Sequence, residues 1–178
     1  MISGSARLAS VDFCAVDLET TGVNPAFNKI VEIGAVRFRL DVQGGSFHSL
    51  INPGVHIPDN VVRIHGITDV MVSQSPALED ILDDFTSFVK GAVLVIQNPR
   101  FDLSFIERAF RMHKAGGPEL LALDTVRLAK KYFTGLPNHK LPTLASHLGL
   151  ELTSHRALDD AIACMTVFRE SLKGFGIN

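Results

Sequence analysis

The stretch VDFCAVDLETTG, residues 11–22, decides how the rest of the chain is read. Apart from Asp12, its first half is a continuous apolar run, the pattern of a central strand covered on both faces. The run ends in two carboxylates, Asp17 and Glu19, followed by two threonines and a glycine. Residues two apart on a strand point to the same side, so two like charges stand next to each other. Either the strand end is simply solvated, or a cation binds there. A hard divalent cation such as Mg²⁺ prefers carboxylate oxygens.

Working outward, residues 29–39 (KIVEIGAVRFR) show the β-branched enrichment and alternation of a second strand. Gln43-Gly44-Gly45 reads as a turn and residues 46–51 as a third strand, giving an antiparallel meander. The period then changes. Ser75 and Pro76 predict a helix start, a capping hydroxyl followed by proline at the first helical position. Leu78, Ile81, Leu82, Phe85, Phe88 and Val89 form one apolar stripe, and Gly91 ends the helix. A short buried strand is expected over 92–96, a helix over 102–114 and a last strand over 119–124. Helices follow over 125–133, from Leu141 to His147, and over 156–172. Three strands followed by alternating helix and strand predict an α/β fold, a mixed sheet flanked by helices. No internal repeat, low-complexity tract or linker breaks the chain. A single domain is therefore expected over residues 1–178, with its core at about 11–172.

Two further stretches carry candidate chemistry. In VIQNPRFDLSF, residues 95–105, Asp102 opens a helix directly after a buried strand. Aspartate is a common helix-start residue and asparagine a common turn residue, so Asp102 and Asn98 also have plain structural readings. In SHRALDDAIACMTVF, residues 154–168, His155 stands just ahead of a helix and two aspartates follow. At about 100° per residue, Ala157, Ala161, Cys164, Met165, Phe168 and Leu172 share a face. Asp160 flanks that face and Asp159 points nearly opposite, which makes Asp160 the site candidate and Asp159 a solvated charge.

The composition narrows the function. A formal net charge of -2 argues against a protein that coats nucleic acid through a basic surface, but not against an enzyme that grips it through metal ions. Arg127, Lys130 and Lys131, with His139 and Lys140 nearby, read as a solvated helix face rather than a phosphate track. No apolar run approaches the roughly 20 residues needed to span a bilayer, and the N-terminus lacks a signal-like apolar core. The expectation is a cytoplasmic protein with no membrane partner. Cys14 and Cys164 sit inside apolar patterns, without metal-ligand spacing, and read as buried thiols.

The order Asp-x-Glu, Asn-x-x-Phe-Asp, His-x-x-x-x-Asp resembles the DEDDh (DnaQ-like) 3′–5′ exonuclease family, which includes the DNA polymerase III epsilon exonuclease domain. The first motif is carried by Asp17, Glu19, Thr20, Thr21 and Gly22. Asn98, Phe101 and Asp102 carry the second, and His155, Arg156, Ala157, Asp160 and Ala161 the third. IVEIGAV at 30–36, IHGIT at 64–68 and LDTVRLA at 123–129 are also similar to the family, so the resemblance runs from about 11 to 170.

The resemblance implies a ribonuclease H-like fold, a five-stranded mixed sheet with three antiparallel strands and two added by helix crossovers. It implies that Asp17, Glu19, Asp102 and Asp160 hold two Mg²⁺ or Mn²⁺ ions about 4 Å apart. One ion would acidify the attacking water and the other stabilise the leaving 3′ oxygen. His155 would be the general base, with an unperturbed pKa near 6.5 suited to neutral pH. Thr20, Val23, His65 and Phe101 would line a pocket for the terminal nucleotide, with Val23 or a neighbour wedged between the last two bases. Asn98 joins them as a substrate-binding candidate. The implied partners are nucleic acid 3′ ends, single-stranded or frayed, with a DNA polymerase as a candidate protein partner.

One position departs from the family pattern. Where the second motif usually begins Ala-His-Asn-Ala, this chain has Ile96-Gln97-Asn98-Pro99. Glutamine keeps donor and acceptor but carries no charge, and the position is not a metal ligand in the pattern. The chain stops soon after its last helix, without the polymerase-tethering tail of some family members, which weakens the reading as a dedicated proofreading subunit beside those of a free-standing DNA repair exonuclease and an RNA-trimming enzyme. Two alternatives stand beside the leading reading, an RNA-trimming exoribonuclease and a non-catalytic nucleic-acid-binding module on the same fold.

Overall fold

The computed structural model describes residues 8–113, 116–152 and 155–174. The expected helix end at 114 and the reading of the first seven residues lie outside them. Five strands, β1 (Phe13–Thr20), β2 (Ile30–Phe38), β3 (Gln43–Leu50), β4 (Val93–Ile96) and β5 (Ala122–Asp124), form one sheet in the order β3-β2-β1-β4-β5. β1, β2 and β3 are antiparallel neighbours, while β4 pairs parallel to β1 and β5 parallel to β4. The mixed sheet expected from the element order is present.

Period-2 alternation divides the core into two layers. Phe13 and Ala15 of β1, Val36 and Phe38 of β2 and Val95 of β4 face one side. There they meet α5 (Thr125–Tyr132), α6 (Leu141–His147) and α7 (Ala157–Lys173) through Ala129, Leu144, Ala161, Cys164 and Phe168. Phe13, Phe38 and Phe168 close this layer as a ring cluster with centroids 5.0–5.9 Å apart. Cys14, Val16, Leu18, Ile33 and Leu94 face the other side, against α3 (Leu78–Val89) and α4 (Arg100–Met112). Both thiols are buried as expected, and burial pushes Cys14 up to about 12. Asp17 and Glu19 continue the parity of Phe13 and Ala15, so the strand sends both carboxylates toward the α7 side.

Several local expectations are corrected. Gly44 and Gly45 lie inside β3, and the chain reverses earlier, at 39–42, where the Arg39 N–H donates to the Val42 carbonyl at 2.8 Å. β3 is a largely exposed edge strand, where glycines lose little packing. Ser75 and Pro76 precede α3 rather than begin it. Ala77 is its N-cap, and the Asp80 carboxylate accepts the Ala77 N–H at 2.9 Å. α4 starts at Arg100, so Asp102 sits within its first turn, and β5 is only three residues long. Two short helices, α1 (Asp59–His65) and α2 (Asp69–Val72), occupy the stretch that shows no periodicity. They are held by a small separate core of Val31, Ile57, Ile67 and Val72. Among the described residues, no helix is long and apolar enough to cross a membrane.

Candidate active site

Three elements converge at the C-terminal end of β1. β1 supplies Asp17 and Glu19. β4 hands the chain to α4 through Asn98, whose φ of 63° is left-handed and tolerable for asparagine. The first turn of α4 then delivers Asp102, which is 4% exposed. α7 delivers Asp160, which is 8% exposed, whereas Asp159 is exposed, as the helical-face reading expects. Asp17, Leu18, Glu19, Gln97, Asn98, Phe101, Asp102, Leu141, Pro142, His155 and Asp160 line one cleft of about 270 Å³. All four candidate carboxylates therefore share it with His155.

β2 makes this convergence possible. Asp17 pairs with Gly34 and Glu19 with Glu32. A Cβ on Gly34 would lie 2.1 Å from the Ala157 carbonyl carbon, so only glycine lets the first turn of α7 rest against the sheet here. His155 has a φ of 64°, an uncommon conformation for a residue with a Cβ. Its N–H donates to Asp160 Oδ2 at 3.0 Å, and its Nδ1 lies 3.9 Å from Glu19 Oε1. The imidazole is half-exposed at the cleft.

The electrostatics are those of carboxylates gathered with little counter-charge, Arg156 acting weakly on Glu19 and His155 on Asp160. No lysine or arginine is among the described residues that line the cleft. Burial, then the neighbouring Asp102, Asp160 and Glu19, drives Asp17 well above the carboxylate range. Burial, then Asp160, lifts Glu19 to about 8. Burial raises Asp102 to about 7 against the pull of its own and Leu18's backbone N–H groups, and Asp160 rises for the same first reason. Asp160 Oδ1 is buried with no hydrogen-bond partner among the described residues. One potential ligand atom from each of Glu19, His155 and Asp160 lies within 4.8 Å of the others. Hard oxygen donors, a carboxylate oxygen without a partner among the described residues and an excess of negative charge fit a divalent cation.

The other candidates divide. Asn98 and Phe101 line the cleft, and the Phe101 ring meets Phe105 in a tilted pair with centroids 5.2 Å apart. Thr20, Val23 and His65 lie outside the residues that line it. Thr20 is buried and its hydroxyl donates to the Gly22 carbonyl at 2.7 Å. Val23 is 82% exposed on the following loop. His65 is buried at the end of α1, where Nδ1 accepts the Ile67 N–H at 3.0 Å. Its Nε2 approaches the Thr20 backbone without a well-aligned hydrogen bond. Gln97 donates to the His139 carbonyl at 2.9 Å and accepts from the Thr125 hydroxyl, tying β4 to α5 and to the loop before α6. His139 is thereby part of the frame, while Arg127, Lys130, Lys131 and Lys140 are exposed. Leu141 and Pro142 line the cleft without any local sequence signal, because the packing of α6 alone puts them there.

Comparison with known proteins identifies the family and the fold. The RNase_T exonuclease family model matches residues 14–168. The DNA polymerase III subunit epsilon of Treponema pallidum is 39% identical over 161 residues, 89% of this chain and 75% of that protein. A PolC-type DNA polymerase III of Caldanaerobacter subterraneus subsp. tengcongensis is 37% identical over 164 residues, 91% of this chain but only 12% of the polymerase. Among solved structures, exonuclease X in complex with 5′ overhanging duplex DNA superposes with a TM-score of 0.71 at 23% identity, covering 92% of this chain and 93% of that one. Exonuclease I does so with a TM-score of 0.77 at 20% identity, over 90% of this chain and 40% of that one. These two likenesses establish the fold, which is ribonuclease H-like. With three ordered motifs on this fold and a family model spanning most of its length, the chain belongs to the exonuclease family, as a DnaQ-like 3′–5′ exonuclease.

Proposed function

We propose that the protein removes nucleoside 5′-monophosphates one at a time from the 3′ ends of DNA. The observation that carries this reading is the meeting of Asp17, Glu19, Asp102 and Asp160 with His155 in one cleft. The four carboxylates are the residues that would hold two Mg²⁺ or Mn²⁺ ions. When bound, such ions supply Lewis-acid stabilisation of the attacking and leaving oxygens. His155 takes the proton of the attacking water as that oxygen bonds to phosphorus. The bond from phosphorus to the 3′ oxygen of the preceding nucleotide breaks, and that oxygen leaves as a hydroxyl after protonation from solvent. A half-exposed imidazole can pass its proton on to water after each cycle. Asp160 holds the His155 backbone through its Oδ2 and keeps Oδ1 for a cation.

For the terminal nucleotide, Phe101 offers an apolar ring and Asn98 an amide at the cleft wall. Thr20 ends β1, Val23 lies on the loop that follows it, and His65 ends α1. Val23, exposed on that loop, is suited to wedge between the last two bases. DNA is favoured over RNA because the relatives named above are DNA polymerase components. By the same relatives, a DNA polymerase is the proposed protein partner, and residues 11–172 the catalytic domain. Matched end-labelled DNA and RNA oligonucleotides, digested with Mg²⁺ or Mn²⁺ and with EDTA, test the reading. Stepwise 3′ shortening of DNA only with metal is expected. Faster shortening of RNA would reassign the substrate, and binding without shortening would make the protein a binding module.

A further inference from the structure

Glu32 has no access to solvent. A buried carboxylate persists only with charged or hydrogen-bonding partners, and Glu32 has four donors. Its Oε2 accepts the N–H of Ala157 at 3.1 Å. Its Oε1 accepts Nε and Nη2 of Arg156, at 3.3 and 3.1 Å, and meets His48 Nε2 at 2.7 Å. Burial pushes Glu32 up, but these partners bring it below the ordinary range.

The place of these bonds matters more than their number. α7 has Arg156 at its N-cap and no side-chain cap of its own. Glu32 supplies one from β2, 125 residues away in sequence, at the first helical N–H. Two residues further along β2, Gly34 admits the same helical turn against the sheet. The anchored dipeptide Arg156-Ala157 directly follows His155. Glu32 also pairs with Glu19, the carboxylate nearest the His155 ring. One strand pair thus carries both Glu19 and the anchor of the backbone that presents the imidazole to it.

We propose that Glu32, acting with Arg156, is a positioning residue for the hydrolytic step, fixing the backbone from which His155 is aimed into the cleft. The inference rests on His155 being the general base. An ordinary stability role would lower the amount of folded enzyme and leave each folded molecule at full rate. A positioning role lowers kcat, and does so only while His155 is there to be aimed.

The experiment is a double-mutant cycle on full-length protein with a 3′-recessed or single-stranded DNA substrate. Glu32→Gln, His155→Ala and the double variant are compared for kcat, KM and melting temperature in EDTA. Glu32→Gln alone should lower kcat about tenfold or more while KM stays within about twofold. In the His155→Ala background the further loss should be about threefold or less. The same loss in both backgrounds, or a kcat near wild type for Glu32→Gln, overturns the proposal. If Glu32→Gln does not fold by circular dichroism, Arg156→Gln replaces it under the same thresholds, since it leaves the Ala157 and His48 bonds in place. A severe His155→Ala with a normal Glu32→Gln refutes the positioning role alone. A harmless His155→Ala refutes the general-base reading, and this inference with it.

Discussion

The backbone N–H of His155 donates to the carboxylate of Asp160 at 3.0 Å, across the N-terminal boundary of α7. The histidine and the aspartate of the third motif are therefore one hydrogen-bonded unit, and the helix start fixes both. Asp160 is engaged through one oxygen while its other oxygen is buried and, among the described residues, unpartnered.

Replacing that second oxygen removes a ligand atom and leaves an amide in its place. Asp160→Asn should lower kcat/KM by a factor of about 100 or more, a loss of about 3 kcal/mol of transition-state stabilisation. Asp159→Asn, one residue away on the exposed side, should stay within about threefold of wild type. Steady-state kinetics on a labelled oligonucleotide reads both. A severe Asp159→Asn with a mild Asp160→Asn would overturn the facial assignment.

The His155 side chain is half-exposed, and among the described residues its one ionic approach is to Glu19 at 3.9 Å. His155→Ala should lower kcat by about 10²- to 10⁴-fold, the usual range for a general base. Mn²⁺ affinity, measured by calorimetry, and thermal stability should change little. A normal rate at neutral pH would remove the base.

The raised carboxylates make metal-free stability depend on pH, and the sign follows from linkage. Glu19 at about 8 and Asp102 at about 7 bind protons more tightly folded than unfolded. Their contribution is fully present below the unfolded values near 4 and is lost as pH rises through about 7 to 8. In EDTA the melting temperature should fall between about pH 5 and pH 8, by about 3 °C or more. Saturating Mg²⁺ should flatten that fall, because the cation replaces the protons. Equal pH slopes with and without Mg²⁺ would show that the carboxylates do not meet at a common cation.

Gly34→Ala tests the packing that brings α7 to the sheet. Its methyl group would lie 2.1 Å from the Ala157 carbonyl carbon, with backbone rather than a flexible side chain in the way. A cost of about 3 kcal/mol in urea unfolding is expected, with an accompanying loss of activity. A stable, active variant would mean that α7 has room to withdraw without displacing Asp160.

Much of this was legible in the sequence because the informative patterns are local. The apolar run before Asp17 announced a strand buried on both faces, and its period of two placed Asp17 and Glu19 on one side. The 3.6-residue stripe of α7 separated Asp160 from Asp159. Where contacts are not local, the reading failed or was silent. Gly44-Gly45 signals a turn in most contexts, yet on the exposed edge of this sheet it is strand. Helices α1 and α2, of seven and four residues, are too short to show a stripe. Leu141 and Pro142 reach the cleft through the tertiary position of α6. Glu32 stood in plain view within IVEIGAV, but a cap for a helix 125 residues away has no local signature.

The central claim is that Asp17 and its neighbours hold the cation on which 3′-end hydrolysis depends. The most direct test compares wild type and Asp17→Ala on a 5′-labelled single-stranded DNA with Mg²⁺, with melting curves taken alongside. The account predicts stepwise 3′ shortening by wild type that EDTA abolishes. It predicts none by Asp17→Ala, which should melt no lower than wild type in EDTA because it sheds a buried, repelled carboxylate. Substantial shortening by Asp17→Ala, or shortening by wild type in EDTA, would contradict it.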